Sequence, residues 1–131
     1  MSREFKHKIK VYYEDTDSGG VVYYANYLKF FERARSEALY SAGLSNKKLL
    51  IDHGTLLIVK SCKIDYLKPA KLEDVLNIFS NIKSKSKSSF IMQQIIKKDN
   101  QVITQAEVIL VAVNKNGKPI KIPEILEKIF D

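Results

Sequence analysis

Residues 12–37 read YYEDTDSGGVVYYANYLKFFERARSE, and the fold turns on how this stretch is parsed. A short β-type run of Val11, Tyr12 and Tyr13 breaks into an acidic turn holding Glu14, Asp15, Asp17, Gly19 and Gly20. After Val21 and Val22 the chain enters its only long helical pattern. From Tyr24 to Ala42 there is no glycine or proline, and Tyr24, Tyr27, Leu28, Phe31, Ala34, Ala38 and Ala42 recur along one stripe, which predicts a helix with that stripe turned to the core. The other side carries Lys29, Glu32, Arg33, Ser36 and Glu37, with Arg33–Glu37 and Glu32–Arg35 at the spacing of surface ion pairs. Gly43 stops the helix.

The junction between turn and helix carries chemistry. Its carboxylates arrive close to a helix N-terminus, where the first backbone N–H groups have no intrahelical partner and the macrodipole is positive. A carbonyl oxygen gaining negative charge can be held by such donors, beside a carboxylate able to act as a base. From the residues alone, Asp17 reads equally as that base or as a turn-capping aspartate that bonds nearby backbone N–H groups.

Working outward, residues 5–13 alternate, with Phe5, His7, Ile9, Val11 and Tyr13 on one parity and Lys6, Lys8, Lys10 and Tyr12 on the other, the pattern of a half-wet strand. His7 on the apolar parity reads as a packing residue. Residues 44–54 form a half-made helix and loop with Ser45 as a possible N-cap and His53 as a turn residue. Strands are expected at 55–67, closed by Lys68-Pro69-Ala70, and at 72–87, 89–98 and 101–114, with a tight hairpin at Asp99-Asn100. In the last strand both parities are apolar, which predicts burial on both faces and a central place in the sheet. Asn116-Gly117 makes a turn, and Pro123 starts a short helix carrying Ile125, Leu126, Ile129 and Phe130. Lys83, Lys85 and Lys87 alternate with serines, placing three ammonium groups on one strand face. That row is either a solvated, edge-protecting feature or a contact surface for the phosphates of a nucleotide-like handle.

One long helix against one antiparallel sheet of about five strands makes an α+β fold. At 131 residues the expectation is a single domain spanning 1–131. A helix covers only one face of such a sheet, which favours self-association. Hydrophobic residues are 45% of the chain, no apolar run reaches the length of a membrane span, and the N-terminal residues lack a signal peptide's apolar segment, so the expectation is a cytoplasmic protein. A single cysteine, Cys62, excludes an internal disulfide and a cysteine metal cluster. The net charge of +7 is compatible with nucleic acid, anionic membrane or phosphate-bearing small molecules. A basic recognition helix and an aromatic RNA-binding motif are both missing, which argues against nucleic acid.

The stretch from Tyr13 to Glu37, with IDYLKPAKLEDVL at 64–76, resembles the YbgC-like acyl-CoA thioesterases of the hot-dog fold, a group similar to 4-hydroxybenzoyl-CoA thioesterase. The resemblance implies a sheet wrapped around a central helix, subunits paired into homodimers and often homotetramers, and active sites at the dimer interface. It implies an acyl-CoA substrate, with no metal and no organic cofactor. Carried onto this chain, the catalytic aspartate is Asp17, and the backbone N–H that polarises the thioester carbonyl lies at Tyr24. Many YbgC-like members carry histidine where this chain has Tyr24, so a histidine side chain has no role here; tyrosine takes that place in the hydroxybenzoyl-CoA enzymes. Tyr13, Asn26 and Tyr27 are expected to order the loop and helix start around the substrate, and Lys83, Lys85 and Lys87 to meet the CoA phosphates. The competing reading is a non-catalytic module that holds acyl-CoA or acyl groups on an acyl-carrier protein.

Overall fold

The computed structural model describes residues 3–131. The elements run β1 (Phe5–Lys10), a 3-10 turn (Tyr13–Asp15), α1 (Asn26–Ser41), α2 (Asn46–His53), β2 (Leu56–Tyr66), β3 (Val75–Lys85), β4 (Ser89–Lys98), β5 (Gln101–Val113) and α3 (Glu124–Phe130). All five strands join one antiparallel sheet in the order β1-β3-β4-β5-β2. This is the α+β hot-dog arrangement, with α1 as the filling and the sheet curled round it.

Period-two alternation decides which face meets α1. Leu76 and Ile78 from β3, Met92 and Ile96 from β4, and Val108 from β5 are buried together, and the register places Ile78 beside Ile96 and Met92 beside Val108. Against them α1 buries Tyr27, Phe30, Phe31, Ala34, Ala38 and Leu39. Phe30 and Phe31 are fully buried, and each such side chain contributes roughly 1.5–3 kcal/mol by leaving water. The buried stripe is therefore rotated from the expected one. Phe30 and Leu39 join it, while Leu28 stays exposed, as does Tyr24, which lies before the helix start at Asn26.

Other boundaries shift for local reasons. Tyr12 and Tyr13 leave the strand for the 3-10 turn, since the Asp15 carboxylate accepts the Tyr12 N–H at 2.9 Å and tightens the chain there. The half-made helix at 44–54 is a complete one: Ser45 Oγ accepts the Lys48 N–H at 3.0 Å, and Gly54 closes the other end at φ 58°. β3 begins at Val75 because 71–74 form a turn, in which Lys71 N donates to Asp74 Oδ2 at 2.8 Å and Glu73 sits at φ 68°. Asp99 and Asn100 both take positive φ in the β4–β5 hairpin, as their residue types allow.

β5 is interior, paired to β4 and β2, but it is not buried on both faces: Ala106, Val108, Leu110 and Ala112 are, while Ile109 and Val111 are half-covered. β4 holds the centre of the sheet. The surface pairs expected on α1 do not form among the described residues; Arg35 turns inward instead and donates to Gln94 Oε1 at 2.9 Å.

Candidate functional site

The acidic turn is a small clamped hairpin. Thr16 and Val22 form an antiparallel bridge, Val21 bridges to Lys71, and Val22 N donates to Ala70 O at 2.8 Å. Asp15 is the buried acid of the three and works as an anchor. Its carboxylate takes the Tyr12 N–H, and its backbone carbonyl accepts Tyr23 N at 3.0 Å and Asn26 Nδ2 at 2.8 Å. The loop is thus tied to the first residue of α1. Asn26 does part of that tying. Tyr27 is buried, with its hydroxyl accepting the Ala70 N–H at 3.1 Å, so it braces the Pro69-Ala70 segment from inside.

Asp17 stands at the exposed tip of the hairpin. Its Oδ1 accepts the Gly19 N–H at 2.8 Å, while its backbone N–H and C=O are taken up by Val21 O and Gly20 N. A Cβ at position 19 would meet that same Oδ1 at 3.2 Å, and Gly20 sits at φ 80°. Both glycines are what lets the chain wrap closely around the carboxylate. The second carboxylate oxygen has no protein partner among the described residues.

Across the hairpin, Tyr23 to Ala25 make one turn before α1 starts. Asn26, Tyr27 and Leu28 donate back to Tyr23, Tyr24 and Ala25. The N–H groups of Tyr24 and Ala25 themselves donate to no acceptor among the described residues. These are orphan donors of the kind that helix starts leave open. The Tyr24 ring is 63% exposed. It lies 4.9 Å from the Tyr23 ring and 6.4 Å from that of Tyr66, whose hydroxyl donates to Tyr24 O at 3.3 Å. Tyr13 is 82% exposed on the flank of the same corner. One end of the molecule therefore gathers Asp17, Tyr24, Asn26 and Tyr13. Tyr66, sitting inside a motif already quoted, belongs with them; nothing in its own position along the strand pattern marks it.

The lysine row is not gathered there. β3 carries a register shift between Ile82 and Ser84, and it ends at Lys85. Lys83 consequently turns to Glu107 at 2.9 Å, Lys85 reaches Asp131 at 2.8 Å, and Lys87 lies in the β3–β4 turn. The bulge breaks the alternation that would have put three amines on one face. All three belong to the opposite end of β3 from the 71–74 turn that braces the hairpin. Among the described residues no group of histidine, cysteine and carboxylate side chains could hold a metal ion.

A family model, the thioesterase-like superfamily, matches residues 11–130. The chain is 38% identical over 128 residues to the acyl-CoA thioester hydrolase YbgC of Escherichia coli O6:H1, covering 96% of this chain and 95% of that one. It is 35% identical over 131 residues to the acyl-CoA thioesterase YbgC of Haemophilus influenzae, covering 99% and 96%. Among solved structures, a probable thioesterase from Bartonella henselae superposes with a TM-score of 0.88 at 33% identity, over 92% of this chain and all of that one.

Proposed function

The chain belongs to the thioesterase-like superfamily, and from that premise we propose that it hydrolyses acyl-CoA thioesters at the corner between Asp17 and the start of α1. The observation that carries this reading is the pair of unpartnered N–H groups, Tyr24 and Ala25, just before α1, on a segment that the clamped hairpin ties to the turn holding the exposed Asp17 carboxylate with its one free oxygen. The thioester carbonyl oxygen docks on those donors, which strengthen their hold as it becomes an oxyanion. Water adds to the carbonyl carbon, the C–S bond breaks, and the products are a carboxylic acid and the CoA thiol. Asp17 either removes the proton from that water and returns it to the departing thiolate, or attacks the carbonyl itself to give a mixed anhydride that water then cleaves.

Asp17→Asn is the test. Asparagine keeps an oxygen for the Gly19 N–H but loses the charge, so kcat should fall by at least ~10²-fold, about 2.7 kcal/mol in the barrier, with the fold intact. A second reading has its own observation: the Oδ1 contact to Gly19 is that of a turn cap, as in a module that only holds acyl-CoA or acyl-carrier protein. On that reading Asp17→Asn leaves acyl-CoA binding and any turnover within a few-fold of wild type. Single turnover in ¹⁸O-labelled water separates the two chemistries, label in the aspartate marking the anhydride route.

The same reading assigns the rest of the site to a second copy of the chain. β2 is an eleven-residue strand at the sheet edge, with its outer side unpaired in the single chain. Antiparallel pairing of two such strands about Ser61 sets Leu56 of one protomer opposite Tyr66 of the other, so the far end of one sheet meets the Asp17 corner of its partner. Lys83, Lys85 and Lys87 belong to that far end. Lys87, with no carboxylate partner among the described residues, is the amine best placed in this reading to meet a CoA phosphate. Placement in the cytoplasm is part of the same proposal; among the described residues no helix is long and apolar enough to cross a membrane.

A further inference from the structure

A cavity of about 230 Å³ opens between the second half of α1, helix α2 and the ends of β2, β4 and β5. Its wall is mainly apolar, with Leu39, Leu49, Leu57, Phe90, Met92 and Leu110 among the lining residues. An apolar cavity of about 150 Å³ accepts benzene, so the volume suits a short chain or a ring. One cation enters this wall. Arg35 projects from the buried flank of α1, and burial pushes its guanidinium pKa down. Its Nη1 donates to Gln94 Oε1 at 2.9 Å, and Gln94 is locked in turn, its Nε2 donating to Phe31 O and to Ser80 Oγ at 3.0 Å each. Gln94 and Ser80 are both buried, so the guanidinium is held by a rigid polar chain.

The cation nevertheless forms no ion pair. Among the described residues no carboxylate oxygen lies within 4.0 Å of it. Glu32, also on the wall, is exposed and gives the cation a favourable charge from beyond ion-pair distance, while burial pushes the neighbouring Cys62 thiol up. Arg35 is half-buried, and drawing a guanidinium partly out of water without an ion pair is costly, so an anion arriving in the cavity would find a cation ready to pair with it. In the two-copy reading above, Leu56, which lines this cavity, would lie against Tyr66 of the partner subunit, next to the partner's Asp17 corner.

We propose that this cavity receives the acyl part of the substrate bound at the partner's Asp17 corner, and that Arg35 selects acyl groups ending in a carboxylate. The proposal rests on the hydrolase reading and deepens it: Gln94 and Ser80 fix the guanidinium, the apolar wall takes the methylenes, and the terminal carboxylate completes the ion pair. The reaction is unchanged, water cleaving the C–S bond and leaving a dicarboxylic acid with free CoA.

The test compares glutaryl-CoA with pentanoyl-CoA, equal in length and differing at the far end. Wild-type enzyme should favour glutaryl-CoA by at least ~10-fold in kcat/KM. Arg35→Met should bring the ratio of kcat/KM for glutaryl-CoA over pentanoyl-CoA close to one, a ratio taken within one variant so that any general loss of activity cancels. Equal rates on the two esters in wild type overturn the proposal. So does an Arg35→Met variant that loses both activities alike or falls to monomers, which assigns Arg35 to the subunit contact. A calorimetric comparison on wild type needs no variant: S-(4-carboxybutyl)-CoA should bind ~10-fold more tightly than S-pentyl-CoA. Tighter binding of the carboxylated thioether with no turnover of either ester keeps the Arg35 assignment and removes the hydrolase reading; equal binding removes the assignment whatever the turnover.

Discussion

The two edges of the sheet are built in opposite ways. β1 is six residues long, and its outward parity is Lys6, Lys8 and Lys10, all exposed. Its start is tied down, Arg3 N donating to Phe130 O at 3.1 Å and the Phe5 ring meeting Phe130 edge-on at 5.8 Å. β2 is eleven residues long and exposes Leu56, Ile58, Val59 and Tyr66 at 39–47%. Short, lysine-lined, anchored edges resist further strand addition, and long apolar ones invite it. The difference teaches that this chain has one finished edge and one long apolar edge left open, and that the corner holding Tyr24 and Tyr66 lies at the open one, which is why the proposed second copy is placed there.

Breaking that contrast should cost most at β2. Ser61→Lys sets like charges opposite each other in a strand self-paired about that residue, and Ile58→Lys adds a charge to the apolar edge opposite the partner's Ile64. Sedimentation should then show monomer, and kcat/KM for acyl-CoA should drop by at least ~10²-fold, the size of effect that displacing half of a catalytic constellation produces. A fully active monomer would end the two-copy account of the site. At the finished edge the expected loss is in stability instead. Phe130→Ala removes the ring on which Phe5 and Phe90 pack, at 5.8 and 5.4 Å, and denaturant unfolding should register about 3 kcal/mol.

Tyr27 tests the place where β2 meets α1. Its ring lies 5.3 Å from that of Tyr66, and its hydroxyl holds the fully buried Ala70 N–H. Tyr27→Phe orphans that donor and should cost about 1–2 kcal/mol at neutral pH. Burial also raises the Tyr27 pKa above its ordinary value of 10.0. Above that pH the unfolded chain gives up the phenol proton while the folded chain keeps it, so stability falls as pH rises into the folded-state range. The phenylalanine variant should lose part of that alkaline fall. The smallest effect belongs to Lys8→Glu on the β1 edge, expected to change stability by less than ~0.5 kcal/mol and activity not measurably.

Much of this was legible in the residues. Strand alternation, the Asp99-Asn100 hairpin, the Ser45 cap and the acidic turn running into a helix are local patterns, each set by side-chain period or backbone preference within a few residues. The α+β class and the family resemblance followed from them. Helix phase did not: Tyr24 and Leu28 fit the apolar stripe as well as Phe30 and Leu39 do, and only the hairpin's hold on Asn26 decides where α1 begins. The lysine row failed for a similar reason, since a bulge between Ile82 and Ser84 leaves no mark in an alternating sequence.

By itself, then, the sequence determined the elements, the acid-rich turn before the long helix, and the kinship that these carry, because such features depend on neighbours along the chain. Tertiary structure alone decided that Asp15 is the buried anchor and Asp17 the exposed tip, two acids that read alike in DTD. It also decided that Arg35 reaches Gln94, fifty-nine positions distant, and that the Tyr66 hydroxyl closes on Tyr24 O. The physical reason is common to all three: burial and hydrogen-bond partnership are properties of what the fold brings alongside a residue, and neighbours in space were not neighbours in the chain.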